Sequence, residues 1–184
     1  METPVKISSF LSRNVQIRPV TVEDYKSLAA VEYEATGGKQ WGRFGFQRYL
    51  KCGNVVGFVA HSGGSCVGFL LASQQETFVE VDYVAIRPEF QRQGIGTRLM
   101  IKAMNALSAP LAQVRHKDGD PKNNDLSNLR LVAKKVQCRL TATVHEKNVA
   151  AQLFLRSVGF TVVNYFSEVR EDGCDAYGFV LNLP

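Results

Sequence analysis

The 184 residues are enough for one well-cored domain and too few for two full ones. A hydrophobic share of 45% beside 21% charged residues excludes wholesale disorder, and no apolar run approaches the roughly 20 residues a membrane-spanning helix needs. The net charge of +5 favours a polyanionic ligand, nucleic acid or an acidic protein partner, without choosing among them.

Residues 1–14 lack the long apolar core of a secretion signal and read as a loose arm, so a cytoplasmic, non-membrane protein is the expectation. The cysteines Cys52, Cys66, Cys138 and Cys174 form no C-x-x-C pair and no zinc-like spacing. They read as small hydrophobes, and no metal site is expected. Residues 15–20 alternate like a strand, and Thr21-Val22-Glu23-Asp24 then offers a capping threonine with an acid three residues on. A helix follows to about Glu34, with Leu28, Ala29 and Val31 toward the core, until Thr36-Gly37-Gly38 breaks it. Residues 41–50 form a second short helix rich in aromatics.

Two β-type runs, 55–61 and 66–73, are joined by Ser62-Gly63-Gly64-Ser65, a hairpin by its turn chemistry. A longer strand at 77–86 is stopped by Pro88, which cannot donate to a ladder. Residues 94–107 carry Ile95, Leu99, Ala103 and Leu107 at helical spacing. From 108 to 136 the pattern dissolves into Asp, Asn, Gly, Pro and Lys, and this segment reads as inserted into a domain of residues 15–184. Order returns with strand 137–144, helix 149–158, strand 160–165 and strand 177–181. The element order predicts an α/β sandwich built on one mixed, mostly antiparallel sheet flanked by helices.

The most informative stretch is Val84-Ala85-Ile86-Arg87-Pro88-Glu89-Phe90-Gln91-Arg92-Gln93-Gly94-Ile95-Gly96-Thr97. A buried strand ends, a loop follows, and a Q-x-x-G-x-G run opens a helix. Bare glycines let an anion approach the backbone, and the first helical amides have no internal partner. A pyrophosphate fits such a turn, with Arg92 or Arg98 as counter-charge. Walker and Rossmann patterns fail, because there is no G-K-[ST] and the spacing is not G-x-G-x-x-G.

This loop resembles the [QR]-x-x-G-x-[GA] acetyl-CoA loop of the GNAT acetyltransferase family. Ile17-Arg18-Pro19 with Glu23-Asp24 is similar to that family's first strand and helix, and Asn148-x-x-Ala151 with Gly159-Phe160 to its second cofactor motif. The resemblance implies acetyl-CoA as co-substrate and an amine, on a protein or a small molecule, as acceptor. It implies that backbone amides over Gln91, Arg92, Gln93, Gly94, Ile95, Gly96 and Thr97 hold the pyrophosphate. Asn148 would bond the pantetheine arm, and Val84 and Ile86 would pair with it as an added strand does. As a favoured helix cap, Asn148 can serve both roles.

Amine acetylation needs the ammonium deprotonated and the thiolate accommodated as it leaves. Strict alternation puts Phe78, Glu80, Asp82, Val84 and Ile86 on one face of the long strand, with the two carboxylates roughly 7 Å apart. Such neighbours raise each other's pKa, which suits a base near neutral pH. Glu80 is expected as general base, through a water, with Asp82 as second choice; both residues would otherwise simply face solvent. The sequence departs from its relatives where many carry a thiolate-protonating tyrosine, since Leu155 stands there with Phe154 before it. Tyr83, Tyr165, Tyr177 and His145 are the candidate substitutes. The segment 41–46, with Lys39 and Arg43, resembles the family's variable acceptor-side loop, and aromatic core packing explains it equally well.

The inserted segment resembles the HNH homing-type endonuclease motif, with His116 and Asn128 at its histidine and central asparagine. Arg115 stands where a metal-binding acid, Asn or His belongs, and a cation there repels the ion. The expectation is a degenerate HNH-like hairpin, with nucleic-acid contact weak. Two alternatives to an acetyltransferase therefore stand: a CoA-binding protein without catalysis, and a nucleic-acid-binding or nicking protein acting through 108–136.

Overall fold

The structure is a computed structural model and describes residues 14–38, 40–108, 111–116, 129–134, 139–167 and 174–183. Strands β1 (Gln16–Pro19), β2 (Val55–Ser62), β3 (Ser65–Gln74), β4 (Val79–Ile86), β7 (Arg139–His145), β8 (Thr161–Phe166) and β9 (Ala176–Asn182) form one seven-stranded sheet in the order β1-β2-β3-β4-β7-β9-β8. Its pairs are antiparallel except β4 with β7. The sandwich with a mixed, mostly antiparallel sheet is therefore as expected. The arm 1–14, Asn14 apart, and Lys39 lie outside the described residues.

Each face of the sheet buries its own apolar cluster. On one side pack helix α3 (Ile95–Ser108), through Ile95, Leu99, Met100 and Ala103, and helix α4 (Val149–Ser157), through Leu155. On the other pack α1 (Tyr25–Thr36), through Leu28 and Val31, and α2 (Gly42–Leu50), through Phe46 and Leu50. Gly37 ends α1 with φ +69°, the left-handed turn that glycine makes without a Cβ penalty. Strand β3, buried from Cys66 to Ser73, serves both clusters by alternation, with Leu70 and Ala72 on one side and Phe69 and Leu71 on the other.

The inserted segment contains the strand pair expected of an HNH-like hairpin, although its composition carries no strand pattern. Backbone of β5 (Leu111–His116) pairs antiparallel with β6 (Leu129–Lys134) as a separate two-stranded sheet, with His116 opposite Leu129. Asn128 lies outside the described residues.

At the domain's entry, the acid three residues after Thr21 does the capping. Asp24 accepts from the Thr21 amide at 2.8 Å and takes both arms of the Arg18 guanidinium at 2.7 and 2.8 Å. Burial works against the Asp24 charge, but Arg18 and the Thr21 bonds outweigh it and hold its pKa below the ordinary carboxylate value. Asp24→Ala is expected to cost about 2 kcal/mol in urea unfolding, the upper range for a lost cap. In the native protein this stabilisation is complete above the unfolded-state pKa of about 3.9. It is lost as pH falls through the lower folded value, so the Asp24→Ala penalty should fade in the same acid range.

Candidate active site

The parallel pair β4–β7 holds for two residues only, Val79 with Leu140 and Glu80 with Thr141. Beyond them the strands part, leaving 81–84 and 142–145 facing each other across a cleft of about 740 Å³. Its walls include Asp82, Tyr83 and Val84 from β4, Thr143 and His145 from β7, Asn148, Phe154 and Leu155 from α4, and Gln40 and Trp41 from the α1–α2 connection. Residues from both faces of the sheet thus meet in one opening through it.

A bulge in β4 explains how. Leu71 of β3 pairs with Tyr83 while Ala72 pairs with Val81, so Asp82 is an extra residue. The extra residue reverses the alternation. Val79, Val81, Val84 and Ile86 all join the α3 side, whereas Tyr83 and Ala85 join the α1–α2 side. Glu80, flanked by Val79 and Val81, and Asp82, bonded to Tyr49 of α2, also belong to the α1–α2 side. The expectation of Glu80, Asp82, Val84 and Ile86 on one face is therefore wrong: the carboxylates and the two apolar residues are on opposite faces.

Asp82 lines the cleft and accepts from the Tyr49 hydroxyl at 2.5 Å. Burial, and the Asp82 bond and charge, push the Tyr49 phenol well above its ordinary pKa. Glu80 is half-buried beside the mouth and is not one of the lining residues. Burial raises its pKa above the ordinary carboxylate value, Asp82 raises it further, and the Thr143 hydroxyl opposes both.

Next to the cleft, a groove of about 510 Å³ runs between the start of α3 and the side of α4. Ile86, Gln91, Arg92, Gly94, Ile95, Gly96 and Thr97 line it together with Phe90, Leu153 and Phe154. The loop above is built by its glutamines. Gln91 donates its side chain to Ile86 O at 2.9 Å, and Gln93 turns back to Glu89 O at 2.8 Å, away from the groove. Arg92 takes φ +59° and Gly94 φ +77°. For a non-glycine residue that conformation costs on the order of 1 kcal/mol, here at the turn that aims the following amides.

The helical ladder of α3 begins with Arg98 N–H on Gly94 O, so the amides of Ile95, Gly96 and Thr97 precede it. The Gln91 amide, by contrast, already donates to Pro88 O at 3.1 Å and is committed to the turn. Arg87 N–H bonds Val67 O on β3. By alternation Ile86 and Val84 then turn their backbone groups to the open edge, although the Ile86 carbonyl is taken by Gln91. Across the cleft, Asn148 caps α4 by accepting the Ala151 amide at 3.1 Å through Oδ1. Phe154 links the two spaces: it lines both, and a Cβ on Gly96 would stand 3.2 Å from its ring.

The positions considered for a proton donor separate cleanly. Leu155 is core, 3% exposed. Tyr83 lines the cleft, but its hydroxyl is buried on the Glu32 side. Tyr165 and Tyr177 stack on each other outside the cleft lining, with the Tyr165 hydroxyl on Asp175. His145 lines the cleft, and its Nδ1 accepts from the Lys147 amide at 3.0 Å, which places the proton of the neutral ring on Nε2. Tyr49 was missed from the sequence because nothing in α2 marks one aromatic as a carboxylate partner. Glu32 was missed too, although it lies four residues after the core residue Leu28 on the same helical stripe.

A sheet opened between two parallel strands thus places an anion-suited helix start next to a carboxylate-bearing cleft. The model of the acetyltransferase (GNAT) family matches residues 22–115, just over half of the chain. The chain belongs to the GNAT acetyltransferase family. An HNH endonuclease model matches residues 110–138. A search of curated protein sequences gave no significant match.

Among solved structures, the ribosomal-protein-S18-alanine N-acetyltransferase of Escherichia coli superposes with a TM-score of 0.69 at 20% identity, covering 92% of this chain and 94% of that one. Ard1 of Thermoplasma volcanium gives 0.67 at 16% identity, over 93% and 99%. Arabidopsis thaliana NAA60, solved with a bisubstrate analogue, gives 0.64 at 17%, over 91% and 97%. These likenesses establish the fold. Among the described residues no helix is long and apolar enough to cross a membrane, and no cluster of three or more His, Cys, Asp or Glu stands ready for a metal ion.

Proposed function

We propose that the chain transfers an acetyl group from acetyl-CoA to a primary amine, on a protein N-terminus, a lysine or a small molecule. The observation that carries this reading is the parting of β4 from β7, which joins the groove at the α3 start to a carboxylate-bearing cleft. The donor set fits a CoA-like molecule. The leading amides of α3, aided by the helix dipole and by Arg92, suit a pyrophosphate. Exposed Leu153 and half-buried Phe90 and Phe154 offer apolar walls. The open-edge groups of Val84 and Ile86 suit amides of an extended arm, and the Asn148 carboxamide NH2 can bond the same arm.

The cofactor approaches from the α3–α4 side and the amine from the α1–α2 side, so that they meet inside the sheet. Glu80 takes a proton from the incoming ammonium through a water, and burial first and Asp82 second raise its pKa, the direction a base requires. Asp82, on the lining itself, attracts the cationic amine and is the second candidate for base. Leu155 cannot donate a proton; His145 Nε2–H, on the cleft lining, can donate a hydrogen bond to the departing thiolate, which then takes its proton from solvent. A thiol of pKa about 8.5 is also a fair leaving group unaided, so the missing tyrosine does not abolish turnover.

The test incubates the protein with acetyl-CoA and three acceptors, a peptide with a free α-amino group, Nα-acetyl-lysine amide and spermidine, and follows thiol release. Turnover above the acceptor-free rate with at least one is expected. Acetyl-CoA binding with no turnover on any would instead favour a binding protein, and no binding at millimolar acetyl-CoA would remove the whole reading.

A further inference from the structure

Glu32 is fully buried on α1. Its carboxylate accepts the Trp41 amide at 2.8 Å on Oε1 and the Gly42 amide at 2.9 Å on Oε2. No ion pair reaches it among the described residues. Both oxygens are thus spent on the chain that enters α2, where the helix dipole adds to the attraction. A buried carboxylate is costly to desolvate, and a core glutamate serves little purpose on an otherwise apolar stripe unless that connection must be held still.

One of the two residues it holds, Trp41, walls the cleft. Trp41 is the single tryptophan of the chain. Its ring packs 5.3 Å from Tyr83, 5.3 Å from Phe46 and 4.8 Å from Tyr49, which in turn bonds Asp82. A Cβ on Gly45 would stand 2.9 Å from the Trp41 Cβ, so the next turn of α2 is also fitted to this placement. The buried Tyr83 hydroxyl lies beside Glu32; its own burial first, and the Glu32 carboxylate second, raise the phenol's pKa.

We propose that Glu32 is a positioning residue for amine acceptance: by pinning the amides of Trp41 and Gly42 it fixes the Trp41 ring as the acceptor-side wall and, through Tyr49, the orientation of Asp82. This rests on reading the cleft as the acceptor site. Glutamine at 32 can accept with one oxygen only and presents NH2 to the second amide, so one bond is lost in a side chain of the same size.

In Glu32→Gln, the KM for the best of the three acceptors is expected to rise about 5–10-fold, the scale of one net buried hydrogen bond. The acetyl-CoA Kd should stay unchanged, because its groove is on the other face. Acrylamide quenching of the Trp41 fluorescence should steepen in the same variant, a readout that needs no activity. Trp41→Phe should raise the acceptor KM by a similar factor, and the double variant Glu32→Gln/Trp41→Phe should be no worse than Trp41→Phe alone. Glu32→Asp, which keeps the charge, should recover part of the loss. Unchanged quenching with unchanged acceptor KM in an active, folded Glu32→Gln protein would overturn the proposal, as would full additivity in the double variant. A wild-type protein that turns over none of the acceptors removes the functional reading instead, and the quenching result alone then decides whether Glu32 holds Trp41.

Discussion

Replacing Gly96 by leucine is expected to weaken acetyl-CoA binding by at least about a hundredfold, which corresponds to losing roughly 3 kcal/mol of charge-assisted hydrogen bonding. The Cβ alone would come within 3.2 Å of the Phe154 ring, so the remaining leucine atoms have no room on that side and must enter the groove. There they stand over the amides of Ile95, Gly96 and Thr97. The phosphate oxygens then lose their approach to the backbone, and a longer, water-filled contact cannot replace it. Titration calorimetry with acetyl-CoA measures the effect directly.

Gly94→Ala gives a useful contrast. Nothing lies within 4 Å of a Cβ at that position, so space is not the issue. The backbone, at φ +77°, is. Alanine there costs on the order of 1 kcal/mol in strain, enough for about a fivefold loss of affinity if the turn relaxes. A thermal scan beside each titration separates binding from folding, since leucine at an early helical position carries better helix propensity than glycine. Unchanged affinity in a folded Gly96→Leu protein would remove the α3 start as the phosphate site.

Much of this arrangement is legible from residue order, and the reasons for success and failure are physical. The glycine spacing at 94 and 96, the strand before it and the periodic helix after it report on local backbone demands, which a sequence carries openly. Glycine at 37 and proline at 88 punctuate the elements for the same reason. What the residue pattern hides is parity. Val79-Glu80-Val81-Asp82-Tyr83 reads as uninterrupted alternation, and only the pairing with β3 reveals that Asp82 is an inserted residue. A bulge belongs to two strands at once, so one strand's pattern cannot announce it.

Glu32 is hidden differently. On the helical stripe it violates the apolar rule, and its partners are backbone amides nine and ten residues away, which have no side-chain signature. The pairing of β5 with β6 is legible only through the HNH-like resemblance, because Asp, Asn and Gly between the two strands dominate the composition of the segment. In each case the deciding interaction is non-local or made by main chain.

The second large effect concerns the two carboxylates. Glu80→Gln is expected to lower kcat/KM by about 10²–10³-fold if that residue is the base, the usual loss when general base catalysis is removed. The pH dependence carries a sharper signature. A base acts in its ionised form, so the acid limb of kcat/KM follows its pKa, which burial first and Asp82 second hold above the ordinary carboxylate value. Asp82→Asn removes the second cause and leaves the first. Glu80 then ionises at lower pH, and the acid limb moves down without reaching the value of an exposed carboxylate. Tyr49→Phe should move the same limb the other way, because the Asp82 charge is no longer shared with a hydroxyl donor. If Asp82 is the base, the pattern inverts: Asp82→Asn becomes the inactive variant, and Glu80→Gln remains active. The bulge makes this comparison possible, because it sets both carboxylates on the α1–α2 side of the sheet and keeps either substitution away from the groove at the α3 start.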